Sequence, residues 1–249
     1  GVDLANQLGI EVIITDHHLP GEGLPDAVAV VNRNRKDDTF PSKHLAGVGV
    51  AFYLMVAFRA HLREKEWFTP ARPEPSLANV LDLVALGTVA DLVPLDGNNR
   101  LLVYQGLQRI RHGKACFGIQ ALIQLSGKMT STLSSADLGF ALGPRINAVG
   151  RLDDMTVGIE CLLASSLAEA LPKAKLLDQL NSERRSIEKS MKEEADQIIK
   201  DDFHLDEDKS GYCLYQPHWH QGVVGLVASR IKDKVNRPVV AFAKEDEKS

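Results

Sequence analysis

The sequence predicts an α/β fold with a mostly parallel sheet, followed by a long connecting helix and the start of a second α/β unit. Three observations support this prediction. Short apolar segments alternate with segments of helical periodicity in the first part of the chain. The region 166–202 then carries apolar residues at three- and four-residue spacing. Beyond it, a strand pattern, a helix pattern and another strand pattern follow one another.

The predicted elements take their bounds from apolar runs and from the breaks between them. Two short strands come first, separated by a loop rich in proline and glycine. Three helices follow, and the second is apolar almost throughout, so we expect it to be buried. In chain order the predictions are strands at 11–15 and 27–31, helices at 48–63, 77–90 and 98–111, the long helix at 166–202, a strand at 211–216, a helix at 222–235 and a strand at 239–243.

The composition is that of an ordinary globular chain, since 44% of the 249 residues are hydrophobic and 25% are charged. No apolar run approaches the roughly 20 residues that span a bilayer, so we expect no membrane association. The three cysteines are widely separated and odd in number, which favours a reducing cytoplasm over a disulfide framework. A net charge of −4 argues mildly against nucleic-acid binding, although steering depends on where the charges lie.

Asp16, His17 and His18 form the first candidate site, because they stand where the first predicted strand ends. Open α/β sheets bind ligands at the carboxyl ends of their strands. Carboxylate oxygen and imidazole nitrogen together suit Mn²⁺, Zn²⁺ or Fe²⁺. The alternative is structural, since a short polar triplet at a strand end is often a turn or a helix cap.

Asp91 is the second candidate, because it emerges from an apolar segment that contains Gly87 and ends near Pro94. A carboxylate there is costly unless it is paired, hydrogen-bonded or bound to metal. The alternative is a cap on the following turn. Gly87 permits a close backbone approach. Asp82, at helical spacing in the same segment, is expected to face solvent and is assigned no role.

The third candidate is the segment 143–154, which holds two arginines, an asparagine and two glycines. Glycine suits a flexible loop, and the arginine fork matches phosphate oxygens. The segment is therefore predicted to be a phosphate-binding loop. The alternative is an ordinary salt bridge from one of these arginines to Asp153 or Asp154.

Taken together, these segments resemble one family, the DHH phosphoesterases, and above all its RecJ-type single-strand exonucleases. The matching residues are 15–18, 87–95 with Asn99 and Arg100, 144–152, and 219–231. The resemblance extends over nearly the whole chain. It implies a DHH phosphoesterase domain at 1–165, a connecting helix at 166–202 and the beginning of a DHH-associated substrate-binding domain at 203–249.

The resemblance also implies roles for individual residues. His17 and Asp91 would be ligands in a site for two Mn²⁺ or Mg²⁺ ions. His18 would act beside the scissile phosphate and Asp16 would orient an imidazole, so both are assigned to catalysis. The DNA backbone would be held by Arg145, Asn147, Arg151 and Arg100.

Two motifs of the family do not occur in this sequence. The family carries an Asp-X-Asp-X-Asp-Gly motif and a further metal-binding aspartate upstream of the position of Asp16, and a Gly-Gly-His motif near its C-terminus. We therefore expect an interior fragment with an incomplete two-metal site. Such a fragment is expected to bind metal weakly and to be inactive by itself.

The activity implied by the resemblance is 5′→3′ digestion of single-stranded DNA in recombination and repair. Single-stranded DNA would be the substrate, and a single-strand-binding protein and a helicase would be partners. Two alternatives remain. One is a hydrolase of short oligonucleotides, cyclic dinucleotides or pyrophosphate, and the other is a non-catalytic scaffold. Retention of Asp16, His17, His18 and Asp91 favours an enzyme, because a scaffold does not need them.

Overall fold

A computed structural model describes residues 1–203 and 210–244. The chain divides into two compact units. The first consists of Gly1–Pro144 and Leu162–Leu171, and the second of Arg145–Cys161 and Pro172–Ser249. The predicted domains at 1–165, 166–202 and 203–249 divide the chain at other residues and remain a prediction.

The chain combines many helices with two pairs of short parallel strands, and the predicted α/β class is confirmed. Every predicted strand and helix is found close to its expected position. The predicted helix at 77–90 begins with a 3₁₀ turn, Leu77–Val80. The helices found between residues 117 and 163 were not predicted. The helices are α1 Val2–Gln7, α2 Gly47–Glu64, α3 Leu81–Ala90, α4 Gly97–Arg111, α5 Phe117–Ser126, α6 Ser135–Asp137, α7 Gly143–Leu152, α8 Thr156–Leu163, α9 Leu167–Phe203 and α10 Val224–Val235. The strands are β1 Ile13–Asp16, β2 Ala29–Asn32, β3 Tyr212–Tyr215 and β4 Val239–Phe242.

Both strand pairs are parallel, as predicted. In the first unit, β1 lies beside β2 with Asp16 opposite Asn32, so both strands end at the same edge. In the second unit, β3 lies beside β4 with Tyr212 opposite Val239. Within residues 1–203 and 210–244, no helix combines the length and the apolar character needed to cross a membrane.

The first unit is held together by close packing of its helices. A Cβ atom at Gly106 of α4 would lie only 2.2 Å from the carbonyl oxygen of Leu81 in α3, so these two helices meet at backbone distance. A Cβ atom at Gly87 would lie 2.8 Å from Cγ1 of Val48. The close approach predicted at Gly87 is therefore confirmed. Helix α3 is fixed between α2 and α4, and this packing positions Asp91 at its end.

The second unit has its own apolar core. Trp219 is almost completely buried, and its indole Nε1 donates a hydrogen bond to Glu194 Oε2 at 2.9 Å. This bond satisfies the one polar atom of a large apolar side chain. The other buried side chains of the cluster come from α9, the strands and α10; they include Met191, Ile199, Tyr212, Leu214, Val227 and Ile231.

The prediction that Asp82 faces solvent is wrong, because its side chain is buried with a relative exposure of 0%. Its Oδ2 accepts a hydrogen bond from the backbone N–H of Cys116 at 2.7 Å, and its Oδ1 lies 4.0 Å from Arg109 Nε. Helix α3 is apolar on nearly every side and lies in the interior, so helical spacing does not give it a solvent-facing stripe.

The predicted phosphate-binding loop at 143–154 is also wrong over most of its length, because Gly143–Leu152 is helical. The helix continues without a break from the π-helical segment Leu138–Leu142, so Pro144 lies just after a segment of wider helical turns. Ala148 and Val149 are completely buried. Burial of this face outweighs the low helix propensity of Gly150.

One prediction for stability concerns Asp137 of α6. Its carboxylate lies 2.8 Å from Lys128 Nζ and accepts hydrogen bonds from the Ser134 hydroxyl at 2.7 Å and the Ser134 N–H at 2.9 Å. The Lys128 ammonium, followed by Ser134, lowers the pKa of Asp137 from 3.8 to about 2. A lowered folded-state pKa contributes stability that is present above pH 3.8 and is lost as the pH falls towards 2.

Asp137→Asn is therefore expected to reduce the free energy of unfolding by about 1 kcal/mol at pH 6, after allowance for solvent screening. The difference from the unmodified chain should shrink between pH 4 and pH 2. Urea unfolding at several pH values measures it. Asp26→Asn, at an exposed position, is the matched control, and a difference at Asp137 that does not change with pH would contradict the prediction.

Candidate metal centre

The site is built around Asp16, the last residue of β1. Its Oδ1 accepts hydrogen bonds from the backbone N–H of His17 at 2.7 Å and of His18 at 3.1 Å, which forms a tight turn at the strand end. The same oxygen lies 2.7 Å from Nδ1 of the His18 ring. Asp16 thus caps the turn and orients an imidazole in one arrangement. The turn that was expected as the structural alternative is therefore present, and it is compatible with a functional role for the same three residues.

The charge of Asp16 is stabilised by these contacts. Burial acts to raise the pKa of the Asp16 carboxyl, but the hydrogen bonds from His18 and His17 together outweigh it and the pKa lies below its ordinary value. A carboxylate that stays ionised favours a proton on the adjacent Nδ1 of His18. The His18 side chain is 77% exposed, so its Nε2 edge is open to a substrate.

Two asparagines that the sequence reasoning did not select hold the backbone of the turn. Asn32, at the end of β2, donates its side-chain amide to the carbonyl of His18 at 2.8 Å. Asn34 donates to the carbonyl of His17 at 2.5 Å, and its own N–H donates to Asn32 Oδ1 at 2.9 Å. The signal that could have revealed them is their position at the end of the second predicted strand, which lies beside the first in a parallel sheet.

Within the first unit, the Asp91 carboxylate faces the His17 imidazole. Asp91 follows the last residue of α3, and its Oδ2 lies 3.4 Å from His17 Nε2. Leu92 then adopts a left-handed backbone conformation with φ of 58°, which ends the helix and turns the chain away. The His17 ring also lies close to Gly47, the first residue of α2, because a Cβ added there would be 3.4 Å from its Cδ2.

The facing atoms of His17 and Asp91 fit a divalent cation. Two ligands at about 2.1 Å from one ion and at right angles to each other lie about 3 Å apart, close to the separation of Nε2 and Oδ2. One nitrogen and one carboxylate oxygen suit Mn²⁺. Among residues 1–203 and 210–244, no group of at least three His, Cys, Asp or Glu side chains is arranged to hold a metal. The metal-ligand roles remain a proposal.

The residues predicted to hold DNA do not form one cluster within either unit. Arg100 lies in α4 of the first unit, and its Nε donates to the Leu95 carbonyl at 2.8 Å. Arg145, Asn147 and Arg151 lie in the second unit, on α7.

The three residues on α7 have different surroundings. Arg145 Nε donates to Asp178 Oδ1 at 2.8 Å, so it makes a salt bridge with an acid that was not considered from sequence. Arg151 is exposed and donates from Nη1 to the Gly222 carbonyl at 3.2 Å. A Cβ at Gly222 would lie 2.0 Å from the Arg151 carbonyl oxygen, so only glycine permits this approach. Asn147 is exposed.

Comparison with known proteins gives consistent matches. A family profile described as "DHH family, N-terminal domain" matches residues 1–88. The chain is 57% identical over 245 residues to the single-stranded-DNA-specific exonuclease RecJ of Dickeya dadantii, covering 98% of this chain and 42% of that protein. It is 55% identical over 245 residues to the protein of the same name from Escherichia coli, with the same coverage of 98% and 42%.

The fold is similar to that of a solved structure. A crystal structure of an exonuclease RecJ bound to manganese superposes with a TM-score of 0.79 and 33% identity, covering 97% of this chain and 57% of that one. The chain spans 42% of the length of the two curated relatives. The activity of a whole protein that contains it is therefore a matter for proposal.

Proposed function

Because the chain belongs to the DHH family, we propose that it is the core of a metal-dependent exonuclease that hydrolyses single-stranded DNA from 5′ to 3′ in recombination and repair. The observation that carries the proposal is the pairing of His17 with Asp91 beside the contact between Asp16 and His18. A cytoplasmic location, and a helicase and a single-strand-binding protein as partners, belong to the same proposal.

His17 and Asp91 would hold a Mn²⁺ or Mg²⁺ ion, and further ligands would complete a two-metal site. When bound, such an ion supplies a Lewis acid for the phosphodiester. Asp16 keeps His18 in one orientation with Nδ1 protonated. Its Nε2 would then accept a proton, or as imidazolium stabilise charge on the scissile phosphate.

Four polar side chains would hold the DNA strand. Arginine contacts phosphate oxygens through a planar fork of donors, and the bonds from Arg145 to Asp178 and from Arg151 to Gly222 fix one edge of each guanidinium. Asn147, which is exposed on the same helix, and Arg100 of α4 would add backbone contacts. These contacts position the strand and carry no sequence preference.

The test uses a grafted protein, in which this chain replaces the matching 42% of the Escherichia coli relative. Release of nucleotides from single-stranded DNA labelled at either the 5′ or the 3′ end is followed with Mn²⁺, and matched duplex DNA and pyrophosphate are the controls. We expect digestion of the single strand alone, from its 5′ end. Cleavage of pyrophosphate or only short oligonucleotides would indicate the small-substrate hydrolase, and no hydrolysis by a folded protein would indicate the scaffold.

A further inference from the structure

Arg33 is a buried cation at the candidate metal centre that the mechanism above does not use. It follows Asn32, the register partner of Asp16, and therefore stands at the same sheet edge as His17. Its relative exposure is 5%. Its Nε and Nη1 atoms are buried, and neither has a hydrogen-bond partner within residues 1–203 and 210–244. Buried donors of this kind are rare in folded proteins.

The surroundings of Arg33 are acidic. Burial lowers the pKa of its guanidinium, and four carboxylates act in the opposite direction; in order of effect they belong to Asp91, Asp96, Asp38 and Asp16. Arginine remains protonated in proteins, so this side chain is a permanent positive charge. Lys43 neutralises one of the four, because its Nζ donates to Asp38 Oδ1 at 2.8 Å and to the Arg33 carbonyl at 2.9 Å.

We propose that Arg33 is the resident counter-ion of the carboxylates at this edge, Asp91 first among them, and that its charge lowers the affinity of the site for a divalent cation. The inference rests on the proposed function, because it assigns a metal to the pair of His17 and Asp91. Within the described residues Arg33 makes no hydrogen bond through Nε or Nη1. Its contribution is therefore its charge.

The physical consequence is competition between two cations for the same carboxylates. A unit charge close to a divalent ion weakens its binding even at an effective dielectric constant of about 20. Removing that charge is expected to tighten Mn²⁺ binding by about tenfold. In the absence of metal, a variant without the Arg33 charge lacks this positive charge near the carboxylates. Such a variant should therefore be less stable than the unmodified protein.

The experiment measures the Kd for Mn²⁺ from the electron paramagnetic resonance signal of unbound Mn²⁺, in this chain and in the grafted protein. Arg33→Met removes the charge, and Arg33→Gln does so while keeping polar atoms, in case the first variant does not fold. Arg33→Lys keeps the charge. Arg35→Met is the matched control, because that guanidinium makes an ion pair with Asp37 and is two residues away.

We expect Kd to fall about tenfold in Arg33→Met and Arg33→Gln and to change less than twofold in Arg33→Lys and Arg35→Met. The neutral variants should melt at a lower temperature without Mn²⁺ and gain more from its addition than the unmodified protein does. Equal or weaker Mn²⁺ binding by both folded neutral variants would overturn the inference. His17→Ala separates the two proposals, because undiminished Mn²⁺ binding in that variant would instead reject the metal site itself.

Discussion

His17→Ala is expected to reduce single-strand digestion by the grafted protein at least a thousandfold while leaving the fold intact. The imidazole Nε2 faces Asp91 Oδ2 at 3.4 Å and is one of the two atoms that fit a divalent cation. Its loss would remove a proposed ligand, so both Mn²⁺ binding and the electrostatic stabilisation that the ion would supply should be lost. The measurement is the initial rate of nucleotide release at saturating Mn²⁺.

Folding should survive this change because the backbone of the turn does not depend on the imidazole. The carbonyl of His17 is bound by Asn34, and its N–H is bound by Asp16. His61→Ala, an exposed change in the last turn of α2, is the control and should leave both rate and fold unaltered. Unchanged digestion by a folded His17→Ala protein would reject hydrolysis at this site for both the exonuclease and the small-substrate alternative.

The contact between His17 and Asp91 illustrates what the sequence could predict. His17 follows the end of a strand, where open α/β sheets bind ligands, but Asp91 follows a helix and that rule does not place it. The resemblance to a family then associated them. Asn32, Arg33 and Asn34 were not selected, because their contacts depend on the register of two strands of four residues each. That register becomes visible only when the strands are paired.

The wrong predictions share a physical cause, which is burial by distant parts of the chain. Asp82 was assigned to solvent from the spacing within one helix, but α5, whose N-terminal residue is next to Cys116, covers it. The region around Arg145 was assigned to a loop from its glycines, yet it is helical and its ionic partner is 33 positions away. The composition of a short segment contains no information about a contact with a residue 33 positions away.

Gly106→Ala is expected to destabilise the first unit by about 3 kcal/mol, the upper part of the usual range for an overpacked interior. The added Cβ would lie 2.2 Å from the Leu81 carbonyl oxygen and 2.4 Å from the Ala85 Cβ. One of these atoms is backbone and the other is fixed to it, so no side-chain rotation relieves the contact. Helices α3 and α4 would have to separate, and the movement would reach Asp91 at the end of α3.

Gly97→Ala is the matched control, since it makes the same chemical change in the first turn of the same helix. No atom lies within 4 Å of a Cβ at Gly97, and alanine stabilises helices relative to glycine by up to about 1 kcal/mol. The free energy of unfolding in urea should therefore fall in the Gly106 variant and stay level or rise in the Gly97 variant. Equal stability of the two variants would mean that α3 and α4 do not meet at backbone distance, and the positioning of Asp91 against His17 would need another explanation.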